Sequence, residues 1–306
     1  MEPFKNLLVG LDTSELDPTL VKYASFLVDH TSAEKVTFVN IIRNLNIPKE
    51  VKKEFPDIIE NAISERKNKI KEVVRANFQP KKKVKVTYLV KKGQPPMLLE
   101  LAEKAKTDLI IIGQKKTLPG TGVTTVRLAR RASCNLLIVP ENAEPKVDKF
   151  LVPIDFSNYS KLALEQTIDF AVRTGGKGEI ICQNVYSVPT GYHYTGKSFE
   201  DFAEIMKKNA KEAFDKFFKK INPRGIKITD VYSLDTNDNL ASDIYDLAAE
   251  VKPDVIIIGA KGRTAAAALF LGSLAEKMVH DNMKDPLLIV RFKGKNAGLI
   301  ETLREI

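Results

Sequence analysis

Residues 256–278 read IIIGAKGRTAAAALFLGSLAEKM, and residues 110–131 read IIIGQKKTLPGTGVTTVRLARR. In each, an isoleucine run meets a glycine and continues through a loop into a helix-like segment. The openings are the same and the loops differ. The chain therefore reads as a duplicated unit whose two copies have diverged.

Working outward from these stretches, the repeat extends in both directions. FKNLLVGLDTSELDPTLVKYASFLV from Phe4 corresponds to DKFLVPIDFSNYSKLALEQTIDFAV from Asp148, each an apolar strand ending at an Asp with a Ser two residues later. KVTFVNIIRN matches EIICQNVYSV, QPPMLLELAEKAKTDLIIIG matches NLASDIYDLAAEVKPDVIIIG, and CNLLIVP matches DPLLIVR. The boundary falls in the proline-bearing linker PENAEPKVDK at 140–149, which gives domains at 1–143 and 147–293 and a tail at 294–306.

LLVGL is too short and too evenly apolar for a surface helix, so it predicts a buried parallel strand. PTLVKYASFLVDH instead spaces Leu20, Tyr23, Ala24 and Leu27 as one face of a helix. Strands alternating with helices require crossover connections, hence an α/β fold with a parallel sheet covered on both faces in each half.

The 306 residues are 43% hydrophobic and 28% charged, a globular balance, and no run approaches the roughly 18 apolar residues of a membrane helix. The opening MEPFKNLLVGLDTS lacks the apolar core of a signal peptide, so a cytoplasmic location and no membrane partner are expected. Cys134 and Cys182 sit in apolar contexts, which predicts buried thiols rather than a disulfide. His30, His193 and His280 have no ligand spacing, and no metal site is expected of them. The net charge of +9 lies wholly in residues 1–146, where 26 Lys+Arg face 17 Asp+Glu. Lys81, Lys82 and Lys83 carry part of it. No aromatic residues interleave with them, so they read as a polar turn rather than a nucleic-acid surface.

In an open α/β sheet, ligands bind beyond the carboxyl ends of the strands where strand order reverses. Asp155, Val185 and Gly259 stand at such ends in the second half. Glycine lets a ligand approach the backbone, and Gly262 admits a positive φ. GSLAEKM then opens a helix whose unpaired N–H groups favour an anion, with Ser273 adding a hydroxyl. The competing structural reading is a plain strand-to-loop turn and a helix cap. Neither GxxxxGK[ST] nor GxGxxG is complete here, so the residues alone reach a nucleotide or phosphate site and no further.

These residues resemble the universal stress protein family, in a tandem two-domain form. The ATP-binding members of that family carry GxxG, nine residues, then G[ST], and Gly259, Gly262, Gly272 and Ser273 match this. The resemblance implies two tandem open five-stranded parallel sheets in the order 3-2-1-4-5, the adenine nucleotide alpha hydrolase-like arrangement. It implies ATP, or ADP or AMP, with magnesium left open as a companion. Adenine or ribose contacts are implied at Pro153, Ile154, Asp155 and Val185, and phosphate contacts at Gly259, Ala260, Gly262, Arg263, Gly272, Ser273 and Leu274. It further implies that 136–140 and 286–290 pair the two domains as an intramolecular pseudo-dimer. A homodimer and a protein partner stay open.

The first half departs from the motif. Asp12, following Leu11, and Ile41 keep the base-side positions. After Gly113, however, Lys116 replaces the second glycine, and Gly122 is followed by Val123 instead of serine. A side chain at 116 and a shortened loop disturb the cradle, so the first domain is expected to hold nucleotide poorly, although Lys115 and Lys116 can still attract an anion. The leading expectation is a stress-response or regulatory protein whose conformation or partner binding follows bound ATP. A slow ATPase or autophosphorylating enzyme, without an assignable general base, and a nucleotide-independent scaffold are the alternatives.

Overall fold

The computed structural model describes residues 4–43, 45, 47–115, 121–141, 143–262, 271–281 and 284–292, with 121–123 described by backbone only. It divides into two compact units, Glu2–Pro145 and Lys146–Lys295. The expected tail at 294–306 lies outside the described residues.

In the first unit the order is β1 (Asn6–Leu11), α1 (Asp17–His30), β2 (Lys35–Ile42), α2 (Lys49–Glu54), α3 (Ile58–Asn77), β3 (Lys85–Lys92), α4 (Met97–Lys104), β4 (Leu109–Gln114), α5 (Thr121–Arg131) and β5 (Asn135–Pro140). Its strands lie in the order β3-β2-β1-β4-β5, paired in parallel throughout. The second unit runs β6 (Lys149–Pro153), α6 (Asn158–Arg173), β7 (Glu179–Tyr186), a 3-10 turn (Tyr192–Thr195), α7 (Phe199–Phe218), β8 (Lys227–Leu234), α8 (Leu240–Val251), β9 (Val255–Gly259), α9 (Ser273–Asp281) and β10 (Leu287–Val290). Its order is β8-β7-β6-β9-β10, again parallel. Each unit has the 3-2-1-4-5 order, which puts a reversal between its first and fourth strands.

The apolar runs are buried because both faces of each sheet are covered. Leu8 and Val9 of β1, and Phe150, Leu151 and Val152 of β6, have no exposed surface. On α1 the helical-spaced Leu20, Tyr23, Ala24 and Leu27 are all buried, and the Tyr23 hydroxyl donates to the Glu144 carbonyl at 2.7 Å. Cys134 and Cys182 are buried free thiols, and burial drives the Cys182 thiol far above its ordinary pKa. The lysine turn after α3 is tied down where Asp29 Oδ1 accepts from the Lys81 and Lys82 backbone N–H groups. Among the described residues no helix is long and apolar enough to cross a membrane.

The repeat reaches individual hydrogen bonds. Asp108, just before β4, accepts from the Lys5 and Asn6 N–H groups at 2.9 and 2.8 Å. Asp254, just before β9, accepts from those of Asp148 and Lys149 at 2.7 and 2.8 Å. Lys106 and Lys252, two residues earlier, both adopt φ of 50° in the left-handed region. In each unit one carboxylate fixes the start of the central strand beside its neighbour, and that sets where both strands end.

Candidate functional site

In the second unit the chain leaves β6 through Ile154, whose N–H donates to the Gln183 carbonyl at 2.7 Å. The Ile154 carbonyl accepts from Asn184 Nδ2 at 2.7 Å. Asp155 follows, with Oδ1 accepting from the Ser157 N–H at 3.0 Å. Phe156 takes up the turn at φ of 67°, and Ser157 caps α6 by accepting from the Ser160 N–H at 3.1 Å. The β6–β7 register pairs Pro153 with Gln183, so Asp155 and half-buried Val185 end their strands at the same level.

The glycine loop meets Asp155 from the β9 side. A Cβ built at Gly262 would stand 2.7 Å from Asp155 Oδ2, so a side chain there requires the carboxylate to shift. Gly272 closes the loop from above: its N–H donates to the Ala260 carbonyl at 2.8 Å, and its Cβ would lie 3.3 Å from Lys261 Cα and 3.6 Å from the Gly262 nitrogen. The Glu276 N–H takes the Gly272 carbonyl at 2.9 Å. The helix pattern therefore leaves the N–H groups of Ser273, Leu274 and Ala275 without intrahelical partners. Glu276, in the first turn of α9, offsets part of the positive end.

One expectation about the glycines is corrected, and another glycine has a packing reason. Gly262 does not adopt a positive φ, since the described glycines that do are 175, 176, 196 and 225. It is glycine because Asp155 stands against it. At Gly259 a Cβ would lie 2.7–2.9 Å from Tyr159 Cβ and backbone atoms, so this glycine lets α6 pack on β9.

The structure thus brings Pro153, Ile154, Asp155, Val185, Ala260, Gly262, Gly272, Ser273 and Leu274 to one end of the second sheet. Arg263 lies outside the described residues. Beside this group stand two buried cations, Lys261 and Arg291. Burial, and then the Arg291 charge, hold the Lys261 ammonium below its ordinary pKa.

The first unit has a cavity of about 380 Å³ at the corresponding place, lined by Leu11, Asp12, Ile41 and Gly113 among others. Asn40 Nδ2 donates to the Leu11 carbonyl at 2.8 Å, repeating the Asn184–Ile154 bond. Asp12 Oδ1 accepts from the Ser14 N–H at 3.1 Å, repeating the Asp155 turn. Asp12 Oδ2 receives the Lys115 ammonium at 2.9 Å. Partial burial pushes the Asp12 carboxyl up, but the Ser14 hydrogen bonds and Lys115 outweigh it and hold it below the usual value. Lys116 lies outside the described residues, as does the side chain of Val123, and Gly122 is described by its backbone alone. The sequence reading missed Asn40 and Asn184, although both letters sit in the matched segments TFVNII and ICQNVY.

Two tandem parallel α/β units, each with a carboxylate after its first strand beside a glycine-bearing fourth-strand loop, define a repeated α/β domain. The family model described as the Universal stress protein family matches residues 3–140 and 146–291. The chain belongs to that family. It is 29% identical over 150 residues to universal stress protein MJ0531 of Methanocaldococcus jannaschii, an alignment covering 49% of this chain and 85% of the relative. It is 26% identical over 159 residues to MJ0577 of the same organism, covering 48% and 96%. A universal stress protein structure from Archaeoglobus fulgidus superposes with a TM-score of 0.62 at 16% identity, covering 95% of this chain and 98% of that one. That likeness is one of fold.

Proposed function

We propose that the protein is a cytoplasmic stress-response regulator that binds ATP, or ADP or AMP, in its second unit, and that nucleotide binding sets its conformation or its affinity for a protein partner. The domains act at 1–143 and 147–293. The observation that carries the reading is the meeting of Gly262 with Asp155 Oδ2 beneath the start of α9. A side chain at 262 would crowd the carboxylate oxygen there. Asp155 would take a ribose or adenine donor, Pro153, Ile154 and Val185 would wall the base, and the Ser273 and Leu274 N–H groups with the Ser273 hydroxyl would take phosphate oxygens. Arg263 is assigned to the phosphates by sequence alone. A magnesium ion would arrive with the triphosphate.

The test is direct. Purified protein is denatured and its supernatant assayed for adenine nucleotide, and the stripped protein is titrated with ATP by calorimetry. Wild type is expected to bind at one site and Gly262→Val to lose binding while remaining folded by circular dichroism. No nucleotide released and no heat on titration would overturn the proposal in favour of a scaffold. Phosphate release at about 1 per second or faster would replace binding with catalysis.

A further inference from the structure

We infer that the outer edge of β3 is a docking site for a protein partner, whose extended acidic segment adds to the first sheet as a further strand. Within its unit β3 pairs with β2 alone. The Lys85 and Gly93 N–H groups donate to the Glu34 and Ile42 carbonyls, each at 3.0 Å, so the odd-numbered residues between them turn their backbone groups toward β2. Parallel pairing then directs the N–H and C=O groups of Val86, Tyr88 and Val90 away from β2. An incoming strand finds its hydrogen-bonding partners there.

The charge of this edge selects the strand it takes. Lys85, Lys91 and Lys92 are exposed and form no ion pair among the described residues, and the same holds for Lys81 and Lys83 in the preceding turn. Two carboxylates at that end of the sheet are already engaged, Glu34 with the Lys5 ammonium at 2.8 Å and Asp29 with the Lys81 and Lys82 N–H groups. Lys35 on β2 stands directly opposite Lys85, and like charges so placed repel. The fold does not demand this pair. The matching positions of the second unit hold Glu179 opposite Lys227, joined at 2.6 Å, and Ser233 stands where the first unit has Lys91. Lysines on a bare edge discourage chance pairing with other edges, which accounts for Lys91 and Lys92. Lys35, however, lies on the inner strand and guards no edge. An acidic strand relieves the repulsion between Lys35 and Lys85, whereas the β3 edge of a second copy, basic itself, does not. Lys85 and Lys91 lie roughly 20 Å apart at about 3.3 Å per residue, so a segment of about nine residues with acidic groups toward both ends meets both. None of these residues belongs to the second-unit site, so the inference does not rest on the nucleotide proposal.

The probe is the end-capped peptide Glu-Glu-Val-Thr-Val-Thr-Val-Glu-Glu, titrated calorimetrically into the full chain. One control replaces every Glu by Lys, and the other replaces both Thr by Pro, which removes N–H groups that a strand needs. One peptide per chain is expected, bound at least about tenfold more tightly than either control. Amide hydrogen exchange at Val86, Tyr88 and Val90 should slow on binding, a change that loose attraction to the lysines does not produce. The double variant Lys35→Glu with Lys91→Ser, which installs the residues found at Glu179 and Ser233, should stay folded by circular dichroism and bind the peptide at least about fivefold more weakly. Controls that bind as well as the peptide, unchanged exchange at the three amides, or undiminished binding to the double variant would each overturn the inference. Displacement of the peptide by an equal concentration of oligothymidylate would overturn it in favour of nucleic acid.

Discussion

Asn184 Nδ2 donates to the Ile154 carbonyl at 2.7 Å, inside the sheet and one residue before Asp155. This bond is buried, and it crosses from β7 to the end of β6 at the point where the chain turns into α6. It fixes the height at which Asp155 emerges. Asn184→Ala strands a buried carbonyl, so a loss of about 1–3 kcal/mol in urea unfolding is expected, together with weaker ATP binding. A variant as stable as wild type, with unchanged affinity, would show that Asp155 is positioned by its own turn alone.

Asp254 holds the other end of the same strand. Its carboxylate accepts from two successive N–H groups at 2.7 and 2.8 Å, and charge-assisted hydrogen bonds are the stronger kind. Asp254→Ala should cost roughly 2–3 kcal/mol, and Asp108→Ala a similar amount, because Asp108 does the same work in the first unit. Chemical denaturation of the two variants checks both. Losses differing by more than about 2 kcal/mol would break the equivalence that the repeat implies.

The two glycines that close β4 and β9 occupy one position in the repeat yet should respond differently. At Gly259 an added Cβ meets Tyr159 backbone atoms at 2.8 and 2.9 Å, which cannot swing aside. At Gly113 it meets the tip of the Leu16 side chain, which can change rotamer. Gly259→Ala is expected to destabilise by about 1–3 kcal/mol and Gly113→Ala by clearly less, as measured by thermal or urea unfolding. The reverse ranking would place the helix packing constraint in the wrong copy.

These comparisons show what was legible in the sequence and why. The α/β class with a parallel sheet was, because short evenly apolar runs alternate with amphipathic segments and the duplication doubles the signal, whereas the strand order came from the family resemblance. That Asp155 and the glycine loop share one crevice was legible as their places at strand ends, but the contact of Gly262 with Asp155 was not. Asn40 and Asn184 were visible only as polar letters in apolar strands, and a letter does not say which carbonyl it serves. Lys115 and Lys261 have the same offset, but one reaches a carboxylate and the other lies by Arg291. Tertiary neighbours decide such rotamers, and those neighbours come from other strands. The reason for Gly259 was hidden likewise, because helix packing and ligand approach both ask for a missing Cβ.

Asp17 supplies a pH dependence whose sign can be worked out. It is buried beneath the turn that carries Asp12, and its carboxylate accepts from the Asp12 and Thr13 N–H groups at 3.1 and 2.9 Å. Burial pushes its pKa from 3.8 to about 6, the two backbone donors pull against that, and the Asp12 charge adds to it. The folded-state value therefore lies above the unfolded one. Between about pH 4 and 6 the native chain holds more protons than the unfolded chain, so this group's contribution is largest in acid and is lost as pH rises through about 6. The shift corresponds to about 2–3 kcal/mol. Asp17→Ser, which installs the residue found at the matching Ser160, removes the titration. Denaturant unfolding at pH 4 and pH 7 should then show wild type losing about 2–3 kcal/mol relative to the variant over that interval. A wild-type minus variant difference that does not change with pH, or one that grows as pH rises, would mean that Asp17 is charged at no cost in the fold.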